Sequence, residues 1–340
     1  MKQGDTIGCY ELLRLLGEGG MGQVWLVEDS IRNRQVALKI LSPTLSSDND
    51  VVQRFLLEGQ NLLALNHKNI ISALDAGQDQ GDFYLAMEIV QGKETEEIVE
   101  KHGPMDEDTV LAMAHQLAGA LAYAWREHAI LHRDIKPSNI MIHANRHPYL
   151  MDFGIAKVMT DDIHLTLTGF SVGTPYYMSP EQATAQKDLD CRSDIYSLGA
   201  TLFHLLTGRV PHPGDTPMAV ISGLLKGPAP SVRDMNPAIS PACAAILAKM
   251  LAKDRKNRYQ NWESVKMDLG RVLKHKPLSG EEGNDSPREE VTSKSASTKI
   301  IATIAVIVIL AAIVLGGVYG ARRGIFRDLL PSSVSQEDMT

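Results

Sequence analysis

Residues 132–139 read HRDIKPSN, and this stretch decides how the rest of the chain is interpreted. Two further strings follow it: DFG at residues 152–154, eighteen residues after Asp134, and SPE at residues 179–181. A lone HRD or DFG occurs often by chance. It is improbable that all three strings occur by chance in this order and at these distances.

The combination resembles the catalytic loop of the protein kinase superfamily and its companion motifs, and the similarity extends over about residues 10–270. The resemblance implies phosphoryl transfer from ATP, in which an enzyme mainly positions groups and neutralises charge. Asp134 would accept and orient the substrate hydroxyl, while Asn139 and Asp152 would bind Mg²⁺, for which Mn²⁺ could substitute. Lys136 would stabilise the transferring phosphoryl group, and the resemblance makes it a mark of serine/threonine rather than tyrosine kinases.

A glycine-rich stretch, GEGGMGQV at residues 17–24, lies between two strand-like runs. The GxGxxG pattern alone is a weak signal, because dinucleotide-binding folds use a similar spacing. In those folds the glycines open a helix, whereas here the strand-like run GQVWLVEDS follows them. A glycine hairpin between strands lets backbone amides lie over phosphates without obstruction by side chains. The ATP contacts expected from this stretch are Gly17, Glu18, Gly19, Gly20, Gly22 and Val24.

Lys39 follows in the strand-like run RQVALKIL. Its ammonium would reach the α- and β-phosphates, while Val24 and Ala37 would cover the purine. The carboxylate of Glu58 lies on the apolar stripe of a helix predicted over about residues 51–65, where a charge is costly unless it is paired. We therefore expect Lys39 to pair with Glu58 as part of the catalytic machinery. Without the glycine-rich stretch, Lys39 would more simply be a surface lysine on a strand. The alternative for Glu58 is a surface glutamate.

The resemblance also identifies MEIV at residues 87–90 as a hinge between two lobes. Backbone groups of Glu88 and Val90 would bond the adenine edge, and Met141 would form the apolar floor beneath it. Thr95 departs from the family pattern, since a leucine is usual there, and we expect the change to weaken packing after the hinge. Structural roles are implied for an ion pair and for a brace beneath the catalytic loop: Glu181 with Arg258, and Asp194.

Residues 155–178 match the activation segment of the family. Within it, Thr166 and Thr168 correspond to autophosphorylated threonines of bacterial receptor-like serine/threonine kinases, the subfamily that LNHKNI, HRDIKPSN and DCRSD most resemble. Arg133 supplies a cation that a phosphate could pair with. Either threonine could equally be an unmodified loop residue, so both are candidate phosphosites only.

The pattern of apolar residues divides the matching region in two. The first 90 residues are mostly short strand-like runs bounded by Gly, Asn and Asp, and the residues after about 106 are mostly helical. We therefore expect an α+β, bilobal protein kinase fold over residues 10–272. A small sheet-rich N-lobe would occupy about residues 10–90, and a larger helical C-lobe about residues 91–272.

The remaining segments differ in composition. Residues 276–299 have no aromatic residue and are rich in Ser, Glu, Lys and Gly, which predicts a disordered juxtamembrane linker. Residues 300–320 have no charged residue, and a helix of that length spans about 31 Å, which matches a hydrocarbon core of about 30 Å. We expect a single transmembrane helix there, followed by a tail at residues 321–340 that is too short for the sensor domains of better-known subfamily members.

Charge counts do not orient this predicted helix, because three Lys or Arg residues lie within twenty residues on either side. The protein is expected to cross the membrane once, and the need for ATP indicates that its kinase domain lies in the cytoplasm. Gly316 and Gly320 form a GxxxG pair, extended by Ala312. That spacing can pack two helices but is also common in apolar segments, so a homodimer is one of two interpretations.

The composition of the 340-residue chain narrows the function classes. A net charge of −7 and the lack of a basic stripe argue against a nucleic-acid partner, and three widely spaced cysteines suit neither a disulfide framework nor a CxxC metal site. We expect a membrane-tethered kinase acting on protein serine and threonine. A nucleotide-binding pseudokinase scaffold would be expected to lose part of the catalytic set, which is intact here: Lys39, Asp134, Asn139 and Asp152. A small-molecule phosphotransferase is disfavoured by GTPYYMSPE at residues 173–181, which resembles a peptide-docking platform.

Overall fold

Strand-like patterns at the start of the chain give way to helical ones, and the computed structural model of the protein follows this change. It describes residues 1–20, 22–153 and 175–278, without the side chains of Asp50, Arg54 and Glu58. Met21 and the two ranges 154–174 and 279–340 therefore lie outside the description. The predicted transmembrane helix and most of the predicted linker fall in the second of these ranges.

Short runs rich in Val, Leu and aromatic residues form a single antiparallel sheet in the N-lobe. Its strands are β1 (Thr6–Ile7), β2 (Tyr10–Gly19), β3 (Gly22–Asp29), β4 (Arg34–Leu41), β5 (Ala73–Asp79) and β6 (Asp82–Met87). Their order in the sheet is β1-β2-β3-β4-β6-β5. One end of the sheet carries the glycine-rich hairpin between β2 and β3, and β6 leads directly into the hinge residues.

Two helices, α1 (Pro43–Ser46) and α2 (Asn49–Leu63), connect β4 to β5. The α2 helix begins and ends slightly earlier than predicted, and its apolar face lies on the sheet, where Val52 and Phe55 pack against Phe83 and Leu85 of β6. A Cβ atom added at Gly59 would lie 2.9 Å from the Cβ of Ala76. A glycine is therefore needed where α2 approaches β5 most closely.

The C-lobe consists mainly of helices around a small second sheet. Its elements are β7 (Gly92–Glu94), α3 (Thr95–His102), α4 (Glu107–His128), β8 (Ile140–His143), β9 (Pro148–Leu150), α5 (Pro180–Ala183), α6 (Cys191–Thr207), α7 (Pro217–Lys226), α8 (Val232–Met235), α9 (Pro241–Met250) and α10 (Trp262–Val272). All residues of α6 except Arg192 and His204 are buried. A helix that is buried on nearly every side lies in the centre of a core, and α6 is the helix around which this lobe packs.

The sheet β7-β8-β9 connects the hinge to the catalytic loop. Strand β7 follows the hinge and pairs with β8, so that Glu94 lies opposite Met141. The catalytic loop occupies the interval between α4 and β8 and ends in the tight turn Pro137–Asn139. The predicted sheet-rich N-lobe and helical C-lobe are confirmed. Within the described ranges, no helix is both long enough and apolar enough to cross a membrane.

Candidate active site

Three residues of the catalytic loop meet at one carboxylate. Lys136 Nζ lies 3.0 Å from Asp134 Oδ2. Asn139 Nδ2 donates to the same oxygen at 3.1 Å and to the Asp134 carbonyl at 2.7 Å. The Asp134 side chain is 17% exposed and that of Lys136 is 30% exposed. The two donors therefore fix the orientation of a carboxylate that a substrate can still reach.

A buried carboxylate on the central helix holds this loop from beneath. Asp194 is 2% exposed and accepts hydrogen bonds from the backbone N–H groups of His132 at 2.7 Å and Arg133 at 2.8 Å. Arg133 has a φ of 62°, a left-handed conformation that is uncommon for a residue with a side chain. The two bonds to Asp194 hold the backbone in that conformation, and the expected bracing role of Asp194 is confirmed.

His132 connects the loop to the segment that carries Asp152. It is fully buried, its ring lies 4.5 Å from that of Phe153, and Nε2 lies 3.0 Å from the Met151 carbonyl oxygen. Because a carbonyl can only accept, Nε2 must carry the proton, and Nδ1 is then the acceptor for the Asp134 N–H at 3.4 Å. Burial lowers the pKa of His132 to about 4, so the ring is neutral at pH 7.

Lys39 and Asp152 form an ion pair, with Lys39 Nζ 2.8 Å from Asp152 Oδ1. Burial acts to raise the pKa of Asp152, but the charge of Lys39 and its hydrogen bond outweigh this effect, and the pKa lies below its ordinary value. The sequence predicts Glu58 as the partner of Lys39. Glu58 lies on α2 with its side chain outside the described part, so that pairing stays a prediction.

The glycine-rich hairpin pairs Gly17 with Val24 and Gly19 with Gly22. Gly22 has a φ of 144°, and a Cβ there would collide with the Ile40 carbonyl oxygen, so the fold itself requires glycine. At Gly17, Gly19 and Gly20, a Cβ would meet nothing within 4 Å. Protein packing does not explain those glycines, whereas a ligand lying under the hairpin would. The pairing partner of Val24 across the next strand is Lys39.

In the hinge after Met87, the backbone N–H of Glu88 is already in use. The Glu88 N–H donates to the Ser72 carbonyl at 2.9 Å, which leaves the Glu88 carbonyl as the group that could accept from an adenine amine. Ala37 is 7% exposed and pairs with Met87 across β4 and β6. Met141 is half-buried on β8. The residues expected to enclose adenine thus lie on strands that adjoin the hinge on both sides.

This geometry agrees with the comparison to known families, in which a model of the protein kinase domain matches residues 10–269. The chain belongs to the protein kinase domain family. Over 262 residues it is 37% identical to the serine/threonine-protein kinase PrkC of Bacillus subtilis, a match that covers 77% of this chain and 40% of that protein. It is 39% identical over 269 residues to the serine/threonine-protein kinase PknB of Mycolicibacterium smegmatis, covering 77% and 43%.

A solved structure shows the same architecture. The crystal structure of the Mycobacterium tuberculosis PknI kinase domain matches with a TM-score of 0.65 and 27% identity, over 81% of this chain and 99% of that one. The match covers only 40–43% of the length of these curated relatives, which are longer proteins.

The activation segment of this kinase is described only at its end. Thr166 and Thr168 fall in residues 154–174, outside the described residues. Beyond them, Glu181 accepts two hydrogen bonds from the Arg258 guanidinium, at 2.6 and 2.9 Å. The predicted pair of Glu181 with Arg258 is confirmed. It joins the end of the segment to the turn before α10.

The two residues expected to bind Mg²⁺ have suitable chemistry for it. Asn139 Nδ2 points to Asp134, which leaves Oδ1 as the atom that could serve as a ligand. The lowered pKa of Asp152 keeps its carboxylate ionised at neutral pH. Among the described residues, no group of three or more His, Cys, Asp or Glu side chains could hold a metal by itself. An ion bound by this pair would need phosphate or water oxygens to complete its shell, which is usual for Mg²⁺.

One residue near the kinase site has a contact that sequence reasoning missed. Thr95 is fully buried, and its hydroxyl donates to the Pro137 carbonyl in the catalytic loop at 2.8 Å. The family resemblance marks Thr95 as a departure from the usual leucine, but a contact across 42 positions requires the folded chain. The threonine at this position forms a hydrogen bond to the loop, and the expected weakening of packing stays a prediction.

Proposed function

We propose that this chain transfers the γ-phosphate of ATP to serine and threonine hydroxyls of proteins. The observation that carries the proposal is the geometry of Asp134, which Lys136 and Asn139 hold by one carboxylate oxygen beside the Lys39–Asp152 pair. The names of the relatives, serine/threonine-protein kinases, support the same reaction class.

Each of these residues has a part in the reaction. Asp134 accepts a hydrogen bond from the substrate hydroxyl and takes up its proton as the oxygen attacks the γ-phosphorus, while the bond to the β–γ bridging oxygen breaks and ADP leaves. Lys136 then places its charge beside the transferring phosphoryl group, to which it is already close because it is paired with Asp134. Mg²⁺ held by Asn139 and Asp152 would neutralise phosphate charge.

Lys39 serves the nucleotide in this proposal. Its side chain is 13% exposed, and its ammonium has Asp152 as its partner in the described part of the chain. Phosphate oxygens of ATP would compete for the same ammonium, and Glu58 would hold it from the other side. The open space above Gly17, Gly19 and Gly20 gives the phosphates room against the backbone.

Labelled ATP and Mg²⁺, supplied to the full chain in detergent micelles with a degenerate Ser/Thr peptide library, test the proposal. Asp134→Asn keeps the shape of the side chain but removes its basicity, and transfer should fall by about 10²–10⁴-fold. The matched control is Asp108→Asn, an exposed aspartate on α4 whose loss should leave the rate unchanged. Nucleotide binding by the wild type without any transfer would favour a pseudokinase scaffold instead.

The proposal extends to a membrane anchor. Residues 300–320 would form a single transmembrane helix with the kinase domain in the cytoplasm, supported by their length and lack of charge. The chain should pellet with membranes after alkaline extraction, and deletion of residues 300–320 should release it. Gly316 and Gly320 would allow the helices of two copies to pack. Crosslinking of Gly316→Leu against the wild type tests that dimer.

Regulation through the activation segment is the last part of the proposal. Phosphorylation of Thr166 or Thr168 would supply an anion for Arg133, which adjoins Asp134 and is fixed by its bond to Asp194. Mass spectrometry after incubation with ATP should find phosphate on at least one of the two threonines, and none in Asp134→Asn. A fully active chain with both threonines unmodified would remove this part.

A further inference from the structure

Thr95 occupies an unusual place for a threonine at the start of a helix. Threonine commonly caps a helix by accepting from its first turn, but here Glu94 is the N-cap residue and makes no side-chain cap bond. Thr95 is the first residue of α3, is fully buried, and donates its hydroxyl hydrogen to Pro137 instead. The side chain thus bonds to the catalytic loop rather than to its own helix.

The acceptor of this bond is a position where the loop has few other attachments. Proline has no N–H group, so the carbonyl is the only backbone hydrogen-bonding group of Pro137. That carbonyl also accepts from the Ile140 N–H, which closes the turn Pro137–Asn139. The Thr95 hydroxyl, which lies on a different element, therefore donates to the same Pro137 carbonyl oxygen whose bond to Ile140 closes the turn.

Asn139 is the residue whose placement depends most on this turn. It is 5% exposed, and its Nδ2 reaches both the Asp134 carbonyl and the Asp134 carboxylate. Its own carbonyl accepts from the Met151 N–H at 3.0 Å, one residue before Asp152. A rotation of the turn would move the amide of Asn139 relative to both aspartates.

Thr95 is also continuous with the nucleotide side of the site. It directly follows β7, whose last residue, Glu94, pairs with Met141 on β8. A single buried hydroxyl therefore joins the strand that leaves the hinge to the turn that carries Asn139. Since donor and acceptor are both buried, loss of the bond is costly and cannot be made good by water.

A second threonine, outside the loop, also contacts a carbonyl of the catalytic loop and offers a comparison. Thr201 on α6 is also fully buried, with its hydroxyl 2.8 Å from the Ser197 carbonyl and 3.2 Å from the Ile135 carbonyl. A hydroxyl has one hydrogen to donate, and the shorter contact lies within the helix. Thr201 therefore contributes less to the loop than Thr95, which donates to the loop carbonyl alone.

We propose that Thr95 is a positioning residue that sets the amide of Asn139 for the metal through the Pro137 carbonyl, an inference that rests on the proposed kinase function. Removing its hydroxyl should weaken the use of Mg²⁺ more than the binding of the peptide. A residue that only stabilised the fold would not produce that difference.

The test uses the full chain in detergent with three variants. Thr95→Val removes the hydroxyl and keeps the shape, Thr95→Ser keeps the hydroxyl, and Thr207→Val removes a buried hydroxyl bond of 2.8 Å at the far end of α6 as the matched control. In Thr95→Val, the Mg²⁺ concentration for half-maximal rate should rise about fivefold, the size expected for one buried hydrogen bond, while the KM for peptide stays constant. Thr95→Ser and Thr207→Val should keep the wild-type Mg²⁺ dependence.

Hydrogen exchange provides a reading that needs no activity. The amide of Ile140 should exchange faster in Thr95→Val than in the wild type or in Thr207→Val. An unchanged Mg²⁺ dependence in Thr95→Val, with or without faster exchange, overturns the proposal, and so does equal impairment of Thr95→Ser. A wild type that binds Mg²⁺–ADP without transferring phosphate overturns the proposed function alone, because exchange and the Mg²⁺ dependence of ADP binding still decide the role of Thr95.

Discussion

Two ion pairs of this kinase are built in opposite ways. Arg258 and Glu181 have side chains that are 0% and 5% exposed. All five guanidinium donors of Arg258 are in use, two on the Glu181 carboxylate and three on backbone carbonyls. Lys39 and Asp152 are 13% and 33% exposed and share one contact at 2.8 Å. The first pair has no donor left for another partner, whereas the second is exposed enough to exchange partners with phosphate or a metal, as the proposed function requires.

Removal of Arg258 should produce the largest effect. Arg258→Ala leaves the Glu181 carboxylate buried without this partner and removes a donor from each of three backbone carbonyls, so the free energy of unfolding should fall by about 3–5 kcal/mol. Urea denaturation of the wild type and the variant measures this difference. Arg258→Lys should recover only part of it, because one ammonium cannot reach all five acceptors. A loss below about 1 kcal/mol would mean that the Arg258–Glu181 pair contributes no more than an exposed ion pair does.

Removal of Lys39 should affect catalysis more than folding. Lys39→Met keeps the apolar stem but leaves the phosphates without their cation, and kcat/KM should fall by about 100-fold or more. The pKa of Asp152 should rise as well, since burial would no longer be opposed by the lysine. The measurements are kinase rate and thermal unfolding, with Lys101→Met, an exposed lysine of α3, as the control. If Lys39→Met destabilised the fold as much as Arg258→Ala, Lys39 would not be a residue that exchanges its partner during catalysis.

The comparison also shows what the sequence could and could not predict. The Glu181–Arg258 pair is predicted from the family resemblance, and the structure confirms it. Both side chains are buried, so each charge needs the other as its partner. Lys39 has two acidic candidates, Glu58 and Asp152, and Asp152 is 113 positions away in the chain. Which carboxylate it meets depends on how the lobes are arranged, and a residue pattern does not contain that information.

The same reasoning applies to the rest of the molecule. Strand and helix patterns were sufficient for the two lobes, since apolar periodicity is a local property. The hydrogen bond from Thr95 to Pro137 and the tautomer of His132 were beyond the sequence, because each depends on a partner carbonyl brought close by folding. Predicted roles for the ATP-site residues stay predictions that the experiments above address.

His132 gives a third, smaller effect that depends on pH. Because folding lowers the pKa of His132 from 6.5 to about 4, the unfolded chain takes up the proton first as the pH falls. Stability is therefore lost between pH 6.5 and pH 4 and is present above that window, with a slope of at most about 1.4 kcal/mol per pH unit from this residue. His132→Gln, which keeps an N–H donor for Met151, should show a shallower fall.

The measurement is urea denaturation at several pH values in that window. The other histidines with lowered pKa values, such as His67 and His204, are present in both proteins and cancel in the difference. Equal slopes for the wild type and His132→Gln would mean that the buried ring does not titrate in the expected way.

The smallest effect is expected from Arg126, an arginine that is exposed where Arg258 is buried. Arg126 on α4 is 66% exposed, 2.7 Å from Glu127 and 3.9 Å from Glu263. Water and salt already screen these contacts, and alanine is favourable within a helix, so Arg126→Ala should leave the midpoint of unfolding unchanged at physiological ionic strength. Measured beside Arg258→Ala, it removes the same side chain, so the difference between the two variants reports burial and the number of donors in use. A midpoint shift for Arg126→Ala as large as that for Arg258→Ala would show that charge alone, rather than burial, determines what an ion pair contributes to this fold.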